Sequence, residues 1–196
     1  MNMELPKVSV VTITYGHEKY ITETLDGVLM QQYEGPIEFI IANDNSPDAT
    51  DEVVKKYFLE NPAPSNFEIK YTKHETNKGM MPNFIWALEQ ATGKYIALCE
   101  GDDYWTDPQK LQRQVGFLEK NTDYSMVAEN SKVLDERHNT SYVFSDKLNS
   151  CDVSIEEIII GRKFHTASVL FRNENVKLPA NYGEYPFGDT LLFALL

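Results

Sequence analysis

Glu100-Gly101-Asp102-Asp103 sets three carboxylates within four residues, directly after the apolar run Tyr95 to Cys99. Carboxylates packed this closely raise one another's pKa and destabilise a fold unless positive charge joins them. A hard cation supplies it: Mg2+ or Mn2+ prefers oxygen ligands, commonly takes one or two protein carboxylates, and leaves its other positions to water and phosphate oxygens. Gly101, without a Cβ, lets backbone approach a ligand closely. The competing reading is an acidic surface turn that caps the helix after Pro108.

Two further polar segments carry side chains suited to ligands. Asn43-Asp44-Asn45-Ser46 can form turns and cap the next helix, or Asp44 can accept hydrogen bonds from an imide N–H or from ribose hydroxyls; the segment alone favours capping. Tyr15, Gly16, His17 and Tyr20 follow an apolar run, and an aromatic ring there could stack on a base or pack in the core. His17 has no spacing partner for a metal site and reads as a surface histidine.

The elements that must position these segments follow from periodicity. Val8 to Thr14 reads as a buried strand and Tyr20 to Gln32 as a helix with apolar Ile21, Leu25, Val28 and Leu29. The unit repeats as a strand over Ile37 to Ala42 and a helix over Ala49 to Leu59, with Ser46, Asp48 and Thr50 as N-cap candidates. Phe67 to Thr72, Met80 to Ala91 and Tyr95 to Cys99 continue as strand, helix and strand. Such alternation predicts an α/β fold: a mainly parallel central sheet with helices on both faces, and ligands beyond the strands' carboxyl ends. All three polar segments fall at such ends.

Beyond Asp107 and Pro108 the spacing predicts a helix over Gln109 to Lys120 and strand-like material over Ser125 to Leu134. Asn139 to Asp152 reads as irregular, Ser154 to Ile160 as a short helix, His165 to Arg172 as a strand, and Asp189 to Leu196 as the start of another helix. The 196 residues fit one domain, with 1–105 as a nucleotide-binding half and 106–196 as part of an acceptor-binding half; the apolar pattern still running at Leu196 points to a longer C-terminal region or to a partner that covers the end.

Composition narrows the partners. Thirty Asp and Glu against 18 Lys and Arg give a formal charge of -12, a field that repels nucleic acid and would repel a nucleotide diphosphate too, unless a cation or clustered donors intervene. Cys99 and Cys151 show no metal or disulfide spacing, and the apolar runs are far shorter than the roughly 20 residues of a membrane span. A cytoplasmic protein without a secretory signal is expected.

Taken in order and spacing, Val8-Ser9-Val10-Val11-Thr12-Ile13-Thr14-Tyr15, Asn43-Asp44-Asn45-Ser46, Asn77-Lys78-Gly79 and Glu100-Gly101-Asp102-Asp103 resemble family-two glycosyltransferases, inverting enzymes of the GT-A (Rossmann-like) fold. The resemblance covers nearly the whole chain. It implies that Thr14, Tyr15, Asp44, Asn77, Gly79, Glu100, Gly101 and Asp102 bind a nucleotide sugar, with Asp44 reading the base. It also implies that Glu100 to Asp103 is the metal-binding D-x-D element, with Glu100 replacing its first Asp and Asp102 and Asp103 nearest a Mn2+ or Mg2+ ion. Gly188-Asp189-Thr190-Leu191-Leu192 is similar to the family segment that supplies the catalytic base, making Asp189 the candidate; the alternative is a helix N-cap. His165 and Thr166 fall where family members contact donor sugar or acceptor, or else merely begin a strand.

The function so implied is transfer of a hexose-type sugar from a nucleotide-diphosphate donor, in this family usually a UDP-sugar, to a hydroxyl of a glycan or lipid-linked acceptor in surface polysaccharide synthesis. A lipid-linked acceptor would add peripheral contact with the inner face of the membrane. The alternative is a non-catalytic nucleotide-sugar-binding module. A metal-dependent phosphatase would carry its acidic nucleophile after the first strand, where this chain reads Thr14-Tyr15-Gly16-His17.

Overall fold

The computed structural model describes residues 5–146, 150–161, 163–185 and 188–196. Strand and helix alternate through β1 (Val8–Thr14), α1 (Ile21–Leu29), β2 (Ile37–Asn43), α2 (Thr50–Glu60), β3 (Phe67–Lys73), α3 (Met80–Glu89) and β4 (Tyr95–Leu98). The second half holds α4 (Lys110–Lys120), β5 (Met126–Ala128), β6 (Lys132–Asp135), β7 (Thr140–Val143), α5 (Ile155–Ile160), β8 (Val169–Arg172) and α6 (Gly188–Leu195). One six-stranded sheet runs in the order β3-β2-β1-β4-β8-β5, parallel across its first four strands, with β8 antiparallel to β4 and to β5.

The sheet is buried on both faces, which is why its central strands read as continuous apolar runs without alternation. On one face Ile21, Leu25 and Val28 of α1, Val54 of α2 and Leu111, Val115 and Leu118 of α4 pack on Val8, Val10, Phe39 and Tyr95. On the other, Phe84, Ala87 and Leu88 of α3, Ile158 of α5 and Leu192 and Phe193 of α6 pack on Val11, Ile40, Ile96 and Phe171. The chain leaves β1 toward β2 and β3, then returns to the opposite side of β1 as β4. That reversal opens a crevice beyond the carboxyl ends of β1 and β4, where ligands of such sheets bind.

Far from that crevice, Glu38 is a fully buried carboxylate within β2. Lys7 and Lys70 lie 3.0 and 2.6 Å away, Ser9 Oγ donates to it, and so do the backbone N–H groups of Thr92 and Gly93. Burial alone would raise its pKa, but these donors and cations outweigh it and hold the carboxyl down at about 2. The site pins β1, β2, β3 and the start of β4 together below the sheet.

Three expectations in the second half give way. Ser125 to Leu134 splits between two sheets, with β5 at the edge of the large one and β6 in a separate hairpin. Asn139 to Asp152 is not wholly irregular, because β7 pairs with β6, Val133 opposite Tyr142; the Asp135 carboxylate accepts the N–H groups of Arg137 and His138 and so builds the turn. All four β7 residues are exposed, so no burial pattern announced the strand. The strand expected from His165 begins only at Val169, since Ser168 N–H and Oγ both return to His165 C=O and wind Thr166–Ser168 into a 3-10 turn.

Candidate active site

Four loops meet at the crevice, and their clasps are made by residues first considered as helix caps. Ala49 is the N-cap of α2, and just before it Asp48 Oδ1 accepts from Thr50 N–H at 3.1 Å. Ser46 Oγ instead accepts from Gly16 N–H at 3.1 Å and Thr50 Oγ1 from His17 N–H at 3.0 Å, while Glu18 N–H reaches Asp48 and Ala49 N–H reaches the Glu18 carboxylate, so the loops after β1 and β2 are tied at four points. Asp44, 2% exposed, does not cap a helix either: its two oxygens accept the N–H groups of Lys78 and Gly79 at 2.7 and 2.9 Å. Asn77 Oδ1 accepts from Gly79 as well. Asp44, Asn77 and Gly79 therefore form one unit that carries the entry to α3.

The acidic segment is placed with equal care. Gly101 N–H donates to Ile13 C=O at 3.0 Å, extending the β1–β4 pairing past the strand ends. A Cβ at residue 101 would stand 2.6 Å from Thr14 Oγ1 and 2.8 Å from His17 Nδ1, closer than real side chains come, so only glycine fits. Thr24 of α1 donates to Asp103 C=O at 2.7 Å, and Gly27 leaves room for the Trp105 backbone against the same helix. Held this way, one oxygen each of Glu100, Asp102 and Asp103 lies within 4.8 Å of the others. Three hard oxygen donors at that spacing suit a divalent cation, and the electrostatic cost of gathering them is what such an ion relieves.

The remaining candidates arrive from the second half. Trp105 Nε1 donates to Ala167 C=O at 2.7 Å and Gln114 Nε2 to Ser168 C=O at 2.8 Å, bolting the 3-10 turn beside the acidic loop. Because β8 runs antiparallel to β4, its beginning lies at the end where β4 finishes. Thr166 Oγ1 then donates to Asp189 Oδ2 at 3.1 Å, while Asp189 Oδ1 accepts from Thr190 N–H at 2.7 Å. Asp189 sits in the first turn of α6, a position that favours negative charge. His165 stacks edge-on against Phe144, ring centroids 4.4 Å apart. Tyr15, the last of the candidates, is half exposed just beyond the end of β1.

Sequence reasoning missed several participants. His17 is no free surface histidine: its ring is three-quarters buried, and Nε2 is 4.0 Å from Asp102 Oδ2. Tyr20 donates to Glu136 in the β6–β7 turn, and that bond, the Glu136 charge, burial and the Asp102 charge together raise its pKa. Lys110 is buried 4.4 Å over the Trp105 ring and bonded to Gln114, with burial lowering its pKa to about 8. The contacts of His17 and Tyr20 have no local spacing signal, whereas Lys110 meets Gln114 at the ordinary i, i+4 helical spacing. A surface cavity of about 570 Å3 lies at the opposite end of β4 among Lys94, Tyr124 and Arg172, away from the crevice.

Sheet order, crevice and acidic loop define the GT-A architecture. The mannosyltransferase PcManGT from Pyrobaculum calidifontis, solved with GDP-Man and Mn2+, shares the fold at a TM-score of 0.67 and 18% identity, over 96% of this chain and 51% of that one. S. aureus TarS, solved with UDP, shares it at 0.62 and 21%, over 96% and 54%. The chain belongs to glycosyl transferase family 2, whose profile matches residues 9–175. Among relatives, the uncharacterized protein Rv1520 of Mycobacterium tuberculosis is 36% identical over 176 residues, 89% of this chain and 50% of its own. Poly(ribitol-phosphate) beta-N-acetylglucosaminyltransferase TarS of Staphylococcus aureus is 32% identical over 117 residues, 58% of this chain and 19% of its own. This chain thus spans about half, or less, of the length of these relatives.

Proposed function

We propose that this chain is the donor-binding and catalytic domain of an inverting, metal-dependent hexosyltransferase that uses a nucleotide-diphosphate sugar. The observation that carries the reading is the convergence at one sheet end of an acidic trio, a buried Asp44 clasp and, through Thr166, the Asp189 carboxylate. In this reading Tyr15 offers a face to the base, and the Asp44–Asn77–Gly79 unit lines the base and ribose. Thr14, Glu100 and Gly101 wall the diphosphate.

Asp102 and Asp103, with Glu100 beside them, would hold Mn2+ or Mg2+, and such an ion stabilises the negative charge that grows on a diphosphate leaving group. Asp189 takes the proton of the acceptor hydroxyl as its oxygen attacks the anomeric carbon from the face opposite the nucleotide, inverting the configuration. Thr166 aims one carboxylate oxygen, and the Thr190 N–H holds the other. His165 and Thr166 border the donor sugar or acceptor.

The donor is read as a UDP-sugar. UDP is the nucleotide in the TarS complex, GDP-Man the donor in PcManGT, so the fold accommodates either base. The acceptor is read as a hydroxyl of a glycan or lipid-linked acceptor in surface polysaccharide synthesis; the relative TarS is named for adding N-acetylglucosamine to poly(ribitol-phosphate). No helix among the described residues is long and apolar enough to cross a membrane, and a lipid-linked acceptor would be met at the inner face from the cytoplasm. Labelled UDP-sugars incubated with Mn2+ test the reading: hydrolysis or transfer that disappears in Asp189→Asn supports it, and nucleotide binding without any turnover would instead make this a binding module.

A further inference from the structure

Lys110, Trp105 and Gln114 are buried side by side behind the acidic loop. The Lys110 ammonium stands 4.4 Å over the Trp105 ring and donates to Gln114 Oε1 at 2.6 Å. Burying an ammonium is costly, so a use for its charge is to be sought among its contacts.

That charge fixes a direction. Burial lowers the Lys110 pKa only to about 8, so at neutral pH the amine keeps its proton and can only donate. Gln114 must therefore turn Oε1 toward Lys110, which leaves Nε2 to donate to Ser168 C=O at 2.8 Å. Trp105 Nε1 donates to the preceding carbonyl, Ala167 C=O, at 2.7 Å. Two successive carbonyls of the 3-10 turn are thus gripped from one buried unit, while Ser168 N–H and Oγ close the turn on His165 C=O.

Both sides of the crevice refer to this unit. Trp105 follows Asp103 closely in the chain, and its backbone packs so tightly on α1 that a Cβ on Gly27 would stand 2.7 Å from its nitrogen. Thr24 of the same helix holds Asp103 C=O at 2.7 Å. On the other side Thr166, which begins the gripped turn, donates to Asp189 Oδ2 at 3.1 Å.

We propose that Trp105 and Gln114, the latter oriented by Lys110, are positioning residues that set the Asp189 carboxylate against the acidic loop through the Thr166–Ser168 turn. They act through Ala167, Ser168 and Thr166 rather than on Asp189 itself. Loosening either grip frees the turn and Thr166 with it, and the base then spends less time aligned for proton transfer. The loss falls on the chemical step and spares donor binding, because a small misplacement of a reacting group slows reaction without removing the donor's own contacts.

The clamp rests on the reading of Asp189 as the base, and the same experiment tests that reading separately. Trp105→Phe keeps a ring beneath Lys110 and removes the N–H; Gln114→Glu keeps an oxygen for Lys110 and removes the donor to Ser168. These two, Thr166→Val, Asp189→Asn and the double variant of Trp105→Phe with Thr166→Val are made in the full chain. Hydrolysis of UDP-N-acetylglucosamine with Mn2+ gives kcat and KM, and hydrogen exchange follows the Thr190 N–H, which bonds Asp189 Oδ1. Trp105→Phe and Gln114→Glu are expected to lower kcat about 3- to 10-fold with KM and the UDP–Mn2+ thermal shift unchanged, and to speed Thr190 exchange. The double variant should fall no further than Thr166→Val alone, since both changes break one path. The clamp is overturned if Asp189→Asn loses turnover while Trp105→Phe and Gln114→Glu keep wild-type kcat and Thr190 exchange. It is equally overturned if the effects of Trp105→Phe and Thr166→Val simply multiply, as for a loss of general stability. Wild-type turnover in Asp189→Asn, or none in the wild type, removes the base reading itself, and the clamp's role with it.

Discussion

Gly101→Ala adds one methyl group at the point where β1 and β4 hand over to the site. That methyl would stand 2.6 Å from Thr14 Oγ1, 2.7 Å from Thr14 Cβ and 2.8 Å from His17 Nδ1. Thr14 cannot retreat, because it ends a buried strand hydrogen-bonded on both sides, and His17 is held by its backbone. Overpacking of this kind costs about 1–3 kcal/mol. In a chain of this size each kcal/mol lowers the unfolding temperature by roughly 2–4 °C, so a fall of roughly 2–12 °C is expected. Gly116→Ala is the matched control: it lies within α4, and a Cβ there meets no heavy atom within 4 Å. Removing a mid-helix glycine stabilises by about 0.5–1 kcal/mol, which raises the unfolding temperature by roughly 1–4 °C. Calorimetry or dye-based thermal unfolding reads both variants. UDP with Mn2+ should stabilise Gly116→Ala as it does wild type and Gly101→Ala much less. Unchanged unfolding and unchanged UDP response in Gly101→Ala would refute the close-approach reasoning.

Other outcomes follow from the same geometry. The Glu38 carboxyl has its pKa depressed in the fold from 4.5 to about 2, so its contribution is present above pH 4.5 and fades as pH falls from there toward 2. The shift corresponds to about 3 kcal/mol, and Glu38→Gln should remove it and flatten the acid limb of the stability curve between those pH values; an unchanged acid limb in chemical denaturation would contradict the assignment. Asp189→Asn should lower turnover by about 10^2- to 10^4-fold while the thermal shift with UDP and Mn2+ stays intact, and a variant that turns over at the wild-type rate would move the base elsewhere. Asp44→Asn leaves one amide of the Lys78–Gly79 pair facing an NH2 group, at about 1–3 kcal/mol; faster hydrogen exchange at residues 77–79 and weaker UDP binding are expected, and unaltered exchange would show that the clasp is dispensable.

Much of the first half of the chain was legible because its signals are local. Buried parallel strands print continuous apolar runs at Val8 to Thr14 and Ile37 to Ala42, and the polar residues that interrupt them fall at strand ends, where ligands sit. The acidic segment stood out for the same reason: three carboxylates after an apolar strand carry an electrostatic cost visible without a structure. What stayed hidden depends on contacts between distant segments. Nothing near His17 in sequence announces Gly101 or Asp102, and nothing near Gln114 announces its bond to Ser168. Asp44 had two local readings, turn or ligand contact, and the structure added a third, the two amides across the crevice. The β6–β7 hairpin escaped notice because its exposed residues have no core to alternate against.

The central claim is that the Glu100–Asp103 segment grips a cation that holds a pyrophosphate. Thermal unfolding with UDP, with and without Mn2+, tests it in wild type and in Asp102→Asn with Asp103→Asn. At a UDP concentration 100 times the dissociation constant, binding adds about 2.7 kcal/mol, or roughly 5–11 °C here. The account predicts that shift in wild type only when Mn2+ is present, and its loss in the double variant. A UDP shift of equal size without Mn2+, or one that survives both substitutions, would contradict it.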